Sequence, residues 1–517
     1  MISGIPMKSI SAFFVSLAAL LSLSLTPDCC CQARRPVAAS SRWVGTWTTA
    51  PQLVEPGNMP PAPGLTNNSL RQLVRVSIGG DTLRVRFSNE FSTGAVTMNS
   101  VQIAASTGAG TIDVATNREL KFGGAPAVTM NAGTAVTSDP IAFALAPRMD
   151  VAITIYYGQT SGTVTGHPGS RTTSFIIAGN TTTATDFTGA VTTDHWYNIN
   201  AIDVRAPSTA AAVAILGNSI TDGRGSTTNL QNRWPDIFSL SLLQDSSTQT
   251  VGVLNQGIGG NCVLAGGLGP TGVSRFDRDI LGQSGVRWAI VLEGVNDIGG
   301  VTSSGAATTV STNLINAYTQ MIARAHAVNI RIYGATILPF KGNGYYNQYS
   351  EACRGAVNQW IRTPGNYDAC IDFDRVMRDP QDTLRLVSTY QNDGLHPDTA
   401  GYRKMGQSID LNLFTVPDTL TMGVNPVPDI FGFVLGQNYP NPFNSSTVLS
   451  FSLPSRSFVS LTVYDLIGRK VSTIVSEELA AGDYLRHWDG ANLSSGSYFY
   501  RLQSGSRVET KRLLLLR

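Results

Sequence analysis

Apolar and polar residues alternate, or apolar residues run together, at 70–78, 82–88, 97–104 and 150–157, with Gly, Asn or Pro between the runs. Leu73-Val74-Arg75-Val76 and Leu83-Arg84-Val85-Arg86-Phe87 carry the two-residue period of strands with one buried face. Several such strands at short spacing predict an all-β region over 42–205, arranged as a β-sandwich. From about residue 208 the rhythm changes. Apolar runs at 211–216, 251–254, 288–292, 330–337 and 371–373 alternate with helical periodicities at 234–243, 310–325 and 348–361, and a closing helix follows Pro397. Apolar strands alternating with amphipathic helices predict a parallel sheet covered on both faces over 208–415.

A Pro-rich linker is expected at 416–442, and β alternation returns over 443–517, as in Val459-Ser460-Leu461-Thr462-Val463-Tyr464. No internal repeat is visible. At the other end, Lys8 precedes an uncharged apolar run at 10–25, and small residues surround Ala33. Residues 1–33 are therefore expected to be a cleaved signal peptide, because this run is shorter than the ~20 residues of a spanning helix. No transmembrane segment is expected once it is removed.

Composition narrows the function classes. The chain has 517 residues, 42% hydrophobic, which is enough for several cores. Charged residues are only 14%, and Lys+Arg 37 against Asp+Glu 35 gives a net charge of +2. That balance supplies no basic field for nucleic acid. Removing the leader leaves Cys262, Cys353 and Cys370. Export permits a disulfide, so a Cys353–Cys370 bridge with Cys262 free is expected.

In a parallel sheet, ligands bind beyond the carboxyl ends of the strands. Gly217-Asn218-Ser219-Ile220-Thr221 follows the first strand, and Asn255-Gln256-Gly257-Ile258-Gly259-Gly260 the second. Glu293-Gly294-Val295-Asn296-Asp297 follows the third, and Asp393-Gly394-Leu395-His396-Pro397 comes beyond the fifth. A serine hydroxyl needs a base to act as nucleophile, and His has the suitable pKa. The imidazole needs a partner at its other nitrogen, which Asp393 offers three residues before His396. The amides of Ser219 and Gly260, with the Asn296 side chain, would supply three donors to an oxyanion. No Gly-x-Ser-x-Gly elbow is present. Gly267-Leu268-Gly269-Pro270-Thr271-Gly272 fits a dinucleotide fingerprint but carries a Pro and follows no strand directly. His167, His195, His326 and His487 show no metal-ligand spacing, and Trp43, Trp47 and Trp196 read as core before they read as a sugar-binding face.

These four blocks resemble those of the SGNH (GDSL-type) hydrolases over about 200 residues. The resemblance implies a flavodoxin-like three-layer α/β fold. It also implies Ser219 as nucleophile, Asp393 and His396 as the acid–base pair, Ser219, Gly260 and Asn296 as the oxyanion hole, and no metal or organic cofactor. Asn218 stands where that family usually has Asp. The tail motifs Tyr439-Pro440-Asn441-Pro442-Phe443, Tyr464-Asp465-Leu466-Ile467-Gly468 and Gly496-Ser497-Tyr498-Phe499-Tyr500 resemble a type IX secretion sorting domain. That implies contact with secretion machinery and a secreted or outer-surface protein from a bacterium with an outer membrane. Trp43-Val44-Gly45-Thr46-Trp47 and residues 71–91 resemble the β-sandwich ahead of the catalytic part in some secreted members. The expectation is a serine esterase for short-chain acyl or acetyl esters, on a polysaccharide or lipid. The alternatives are a lipase or lysophospholipase, and a catalytically silent carbohydrate-binding protein.

Overall fold

A computed structural model describes residues 41–415, 434–436, 438, 441, 443–453, 456–479, 482–505 and 507–516. The expected leader, most of the expected linker, and Tyr439, Pro440 and Pro442 lie outside the described residues.

The α/β part is a five-stranded parallel sheet. Its strands are β1 (Ala211–Gly217), β2 (Val251–Gly257), β3 (Val286–Leu292), β4 (Arg331–Ala335) and β5 (Ala369–Ile371), in the order β2-β1-β3-β4-β5. That order is the flavodoxin-like one. The all-apolar composition of β1 follows from its interior place, since its side chains alternate between two cores. Ala212, Ala214 and Leu216 join one cluster, whereas Ala211, Val213 and Ile215 join the other.

The helices are α1 (Ser219–Asp222), α2 (Trp234–Gln244), α3 (Gly272–Phe276), α4 (Val295–Ile298), α5 (Ser304–Ala327), α6 (Gln348–Arg362), α7 (Phe373–Met377) and α8 (Thr399–Gln407). Leu314 and Met321 of α5 and Val357 of α6 enter the first cluster; Trp234 and Phe238 of α2 and Tyr402 of α8 enter the second. The longer helices begin where a side chain satisfies the free amides. Ser303 caps α5, Asp398 caps α8, and Asn347 and Ser350 form a reciprocal box at α6.

Two of our expectations need correction. The fifth strand is Ala369–Ile371 rather than 371–373, because Asp372 leaves the sheet to cap α7, accepting the Arg375 amide. The expected Cys353–Cys370 disulfide is absent, and both thiols are free. Cys353 lies on the α6 face buried in the first cluster, whereas Cys370 is exposed on the edge strand β5.

Residues 41–207 form antiparallel sheets. One runs Ser41–Thr48, Ile199–Pro207, Gly80–Asn89, Ile141–Leu145. A second contains Ser174–Ala178, Asn68–Arg75, Asp150–Tyr157 and Val96–Gly108, and a small third one includes Thr165–His167. This β region does not keep its core to itself. One buried cluster runs from Val44, Leu83 and Ile153 through to Leu254, Phe276 and Tyr318. Trp47 and Trp196 are buried in it edge to face at 5.0 Å, so they pack rather than present a sugar platform.

The tail has its own core. Strands Ser446–Leu453, Ser457–Tyr464, Gly496–Ser504 and Arg507–Leu515 enclose Leu449, Phe451, Val459, Leu461, Tyr500 and Leu513. Among the described residues, no helix is long and apolar enough to cross a membrane.

Candidate active site

Strand β1 ends on Gly217, where a Cβ would come within 2.1 Å of the Thr221 hydroxyl; only glycine lets the chain turn so tightly. Asn218 stays extended, and its side-chain oxygen accepts the Ile220 amide at 3.1 Å, starting α1 at Ser219. Gly223, at φ 100°, ends that single turn. Ser219 is thereby held at the carboxyl end of β1, an interior strand.

Ser219 Oγ lies 2.8 Å from His396 Nε2, and His396 Nδ1 lies 2.8 Å from Asp393 Oδ2. The other oxygen of Asp393 accepts the amides of His396 and Leu395 at 2.9 and 3.1 Å, so one carboxylate shapes its loop and orients the ring. Burial lowers the pKa of His396 from the ordinary 6.5, and the positive charges of Arg224 and Arg171 add to this, outweighing the pull of Asp393 towards imidazolium. Burial works against ionisation of Asp393, yet the hydrogen bonds from His396 and Leu395 hold its carboxyl below the ordinary value.

The two other predicted residues lie on adjoining segments. Gly260 follows β2 in the left-handed region, at φ 70°. Among the described residues its amide donates to no acceptor. Asn296, in α4 beyond β3, donates through Nδ2 to the Asn261 carbonyl at 2.7 Å and accepts from the Tyr345 hydroxyl at 3.1 Å. One amide hydrogen of Asn296 is left over. Asp297 accepts the amides of Val263 and Leu264 at 2.8 and 2.9 Å, so α4 clamps the loop that contains Gly260. The structure thus joins Ser219, His396 and Asp393 in one hydrogen-bonded chain, and joins Asn296 to the Gly260 loop through Asn261.

Sequence reasoning missed the groups that hold this arrangement. Arg275 is fully buried; it donates to the Gly217 and Gln256 carbonyls at 2.9 and 2.6 Å and to Asn261 Oδ1 at 3.0 Å, tying together the ends of β1, β2 and the Gly260 loop. Asp222, the last residue of α1, is buried against His167 of the β region, with Nε2 2.9 Å from Oδ1. Glu293 is buried with Asn218 beside it, although neither carboxyl oxygen completes a well-directed hydrogen bond. Burial pushes this carboxyl well above its ordinary range, against the opposing pull of Arg275. Asp297 had a signal, since it adjoins Asn296; Arg275 and His167 are isolated residues with none. Among the described residues no group of three or more His, Cys, Asp and Glu side chains is arranged to hold a metal ion.

Comparison with known proteins gives two family matches. Residues 215–404 match the family model of the GDSL-like lipase/acylhydrolase family, and residues 437–515 match that of the secretion system C-terminal sorting domain. Similar solved structures include a GDSL-like lipase from Bacteroides thetaiotaomicron, at 18% identity and TM-score 0.28, covering 38% of this chain and 84% of that one. A psychrotrophic esterase from a Pseudoalteromonas species is 17% identical at TM-score 0.27, covering 38% of this chain and 93% of that one. A variant of an acetyl-xylooligosaccharide esterase from Geobacillus is 18% identical at TM-score 0.29, covering 39% and 93%. No curated protein matches the sequence.

Proposed function

We propose that this ester-bond hydrolase, carrying a GDSL-like acylhydrolase domain and a secretion sorting tail, is an exported serine esterase whose triad is Ser219, His396 and Asp393. The observation that carries the reading is the chain of two 2.8 Å contacts from Ser219 Oγ through the imidazole to Asp393. His396 Nε2 is in place to take the serine proton as Oγ attacks the ester carbonyl. Asp393 fixes the tautomer and stabilises the imidazolium. The tetrahedral oxyanion forms where the amides of Ser219 and Gly260 and the spare hydrogen of Asn296 can converge; one such donor is worth ~10²–10³ in kcat. The imidazolium then gives its proton to the leaving alcohol, and water attacks the acyl-enzyme by the same route in reverse.

Short acyl groups are the reading adopted for this site, since the positive charges of Arg171 and Arg224 acting on His396 favour polar over long apolar substrates. The reading takes the chain as signal peptide 1–33, β-sandwich 42–205, a three-layer catalytic domain 208–415, linker 416–442 and an Ig-like sorting domain 443–517. It places the enzyme outside the cell or on its outer surface, delivered by type IX secretion. Hydrolysis of p-nitrophenyl acetate, butyrate and palmitate, with Ser219→Ala and His396→Ala alongside, tests it. Both variants should stay folded and lose turnover. Near-wild-type activity in either refutes that residue's role, and a palmitate preference refutes the short-chain reading.

A further inference from the structure

Arg224 follows the turn that carries Ser219. Its amide donates to the Ser219 carbonyl at 2.9 Å, and its own carbonyl accepts the Tyr402 hydroxyl at 2.6 Å. A Cβ on the next residue, Gly225, would meet Asn392 Nδ2 and the Pro397 carbonyl at 2.4 Å, so this loop lies directly on the loop of His396. The backbone of Arg224 is fixed, and its side chain is exposed.

Arg171 belongs to a loop of the β region, and its charge, like that of Arg224, acts on His396. Its loop is stitched to the segment after α1: the Arg171 carbonyl accepts the Asn229 amide at 3.0 Å, Gln231 donates to the Thr172 hydroxyl at 2.8 Å, and the Thr173 amide donates to Asn229 Oδ1 at 2.8 Å. Arg171 itself holds a left-handed backbone, φ 51°, which a residue with a long side chain adopts under constraint. Its Nε is shielded from solvent without an acceptor.

Among the described residues neither guanidinium has an ion pair or a hydrogen-bond acceptor. Several other arginines of the chain are paired, among them Arg75 with Asp150, Arg233 with Asp236, Arg354 with Glu351 and Asp374, and Arg362 with Asp372. Two unpaired cations beside a histidine that must become imidazolium oppose the reaction. An anion bound between them removes that opposition in the transition state.

We infer that Arg171 and Arg224 form a subsite for a carboxylate or similar anionic group on the ester substrate, a conclusion that rests on the triad reading above. The natural substrates would then be acyl esters of an acidic compound, or esters of a dicarboxylic acid. Charge-assisted contacts of partly exposed groups make the expected preference roughly fivefold or more.

The test uses matched esters, with 4-acetoxybenzoate against 4-acetoxybenzamide placing the charge on the leaving group. Mono-p-nitrophenyl succinate against p-nitrophenyl butyrate places it on the acyl group. In at least one pair the anionic ester should win in kcat/KM, with the advantage falling as salt is added. Arg171→Gln and Arg224→Gln should each reduce the charged-to-neutral ratio, and Arg171→Lys should retain much of it. The exposed Arg118, far along the β region, serves as control through Arg118→Gln, which should leave the ratio unchanged. Loss of either cation should also raise the His396 pKa, moving the acidic limb of kcat/KM on the neutral ester to higher pH. No anionic preference in either pair, or a ratio unmoved in both glutamine variants, overturns the subsite. Ser219→Ala run on the same esters separates the two readings. If it is inactive while the ratio does not move, the triad stands and the subsite falls.

Discussion

The contact between His167 and Asp222 is the sharpest energetic test of how the site is held. Their side chains are 4% and 2% exposed, and they meet at 2.9 Å. The other ring nitrogen of His167 faces the Ala50 carbonyl at 3.0 Å. Both nitrogens thus face oxygen atoms, one on Asp222 and one on the Ala50 backbone. Asp222 Oδ2 has no hydrogen-bond partner, and the Gly169 backbone approaches it so closely that a Cβ there would lie 1.8 Å away.

His167→Ala removes the carboxylate's one hydrogen-bonded partner among the described residues and should cost about 3–5 kcal/mol, the range for leaving a buried carboxylate without its partner. At ~2–4 °C per kcal/mol this is a fall in Tm on the order of 10 °C. Urea unfolding of wild type, His167→Ala, Asp222→Asn and the double variant measures the coupling directly. The double variant should cost at least ~2 kcal/mol less than the sum of the singles. Because α1 starts at Ser219, kcat should drop with little change in KM. Additivity to within ~0.5 kcal/mol, or a cost below ~1 kcal/mol for His167→Ala, would refute the argument.

Three further outcomes follow from the same geometry. The acidic limb of kcat/KM should have its midpoint below 6.5, since His396 is lowered from that value; Asp393→Asn, which removes the group that raises it, should move the limb lower still while kcat collapses. Glu293 has a folded-state pKa raised above its unfolded value, so its contribution to stability is present at low pH and is lost as pH rises. Glu293→Gln should therefore gain stability relative to wild type as pH rises above the ordinary carboxylate range in urea titrations, and a parallel pair of curves would contradict this. Thiol titration of the denatured protein lacking residues 1–33 should count three free thiols, Cys262, Cys353 and Cys370; a count of one would restore the disulfide.

The parallel sheet was legible because burial on both faces forces continuous apolar runs such as 211–216. The fifth strand was misplaced because Asp372, beside the apolar Ile371 and Phe373, serves as a helix cap instead of a strand residue. Ser219, Gly260, Asn296 and His396 could be proposed because each lies just past a strand or in the loop before the last helix, where local order predicts the rim. Arg275 and His167 could not be found, since their partners Gly217 and Asp222 lie 58 and 55 residues away, and neither carries a spacing. The same limit hid Arg171, whose place beside His396 depends on one loop of the β region crossing to another part of the chain.

Those long-range contacts bear on whether the α/β part can stand alone, as its expected boundaries at 208–415 suggest. The β region meets it through direct hydrogen bonds and a shared buried cluster. The Gly45 amide donates to the Ser284 carbonyl at 2.8 Å, and the Val253 amide donates to the Ser77 hydroxyl at 3.0 Å. Leu254, fully buried, packs so tightly on Gly45 that a Cβ there would lie 2.9 Å from its Cδ1. Excising residues 41–207 would expose Leu254, leave the Asp222 carboxylate without His167, and remove Arg171 from the rim. Exposing one such leucine alone forfeits ~1.5–3 kcal/mol, and the unpaired carboxylate adds a comparable cost. Against a typical total of 5–15 kcal/mol, the fragment should be aggregation-prone and turn over p-nitrophenyl acetate far more slowly than the full chain. A soluble fragment with full kcat and a cooperative unfolding transition would mean that the Ser219 turn is held by Arg275 and Tyr402 alone, and that the β region serves only the substrate.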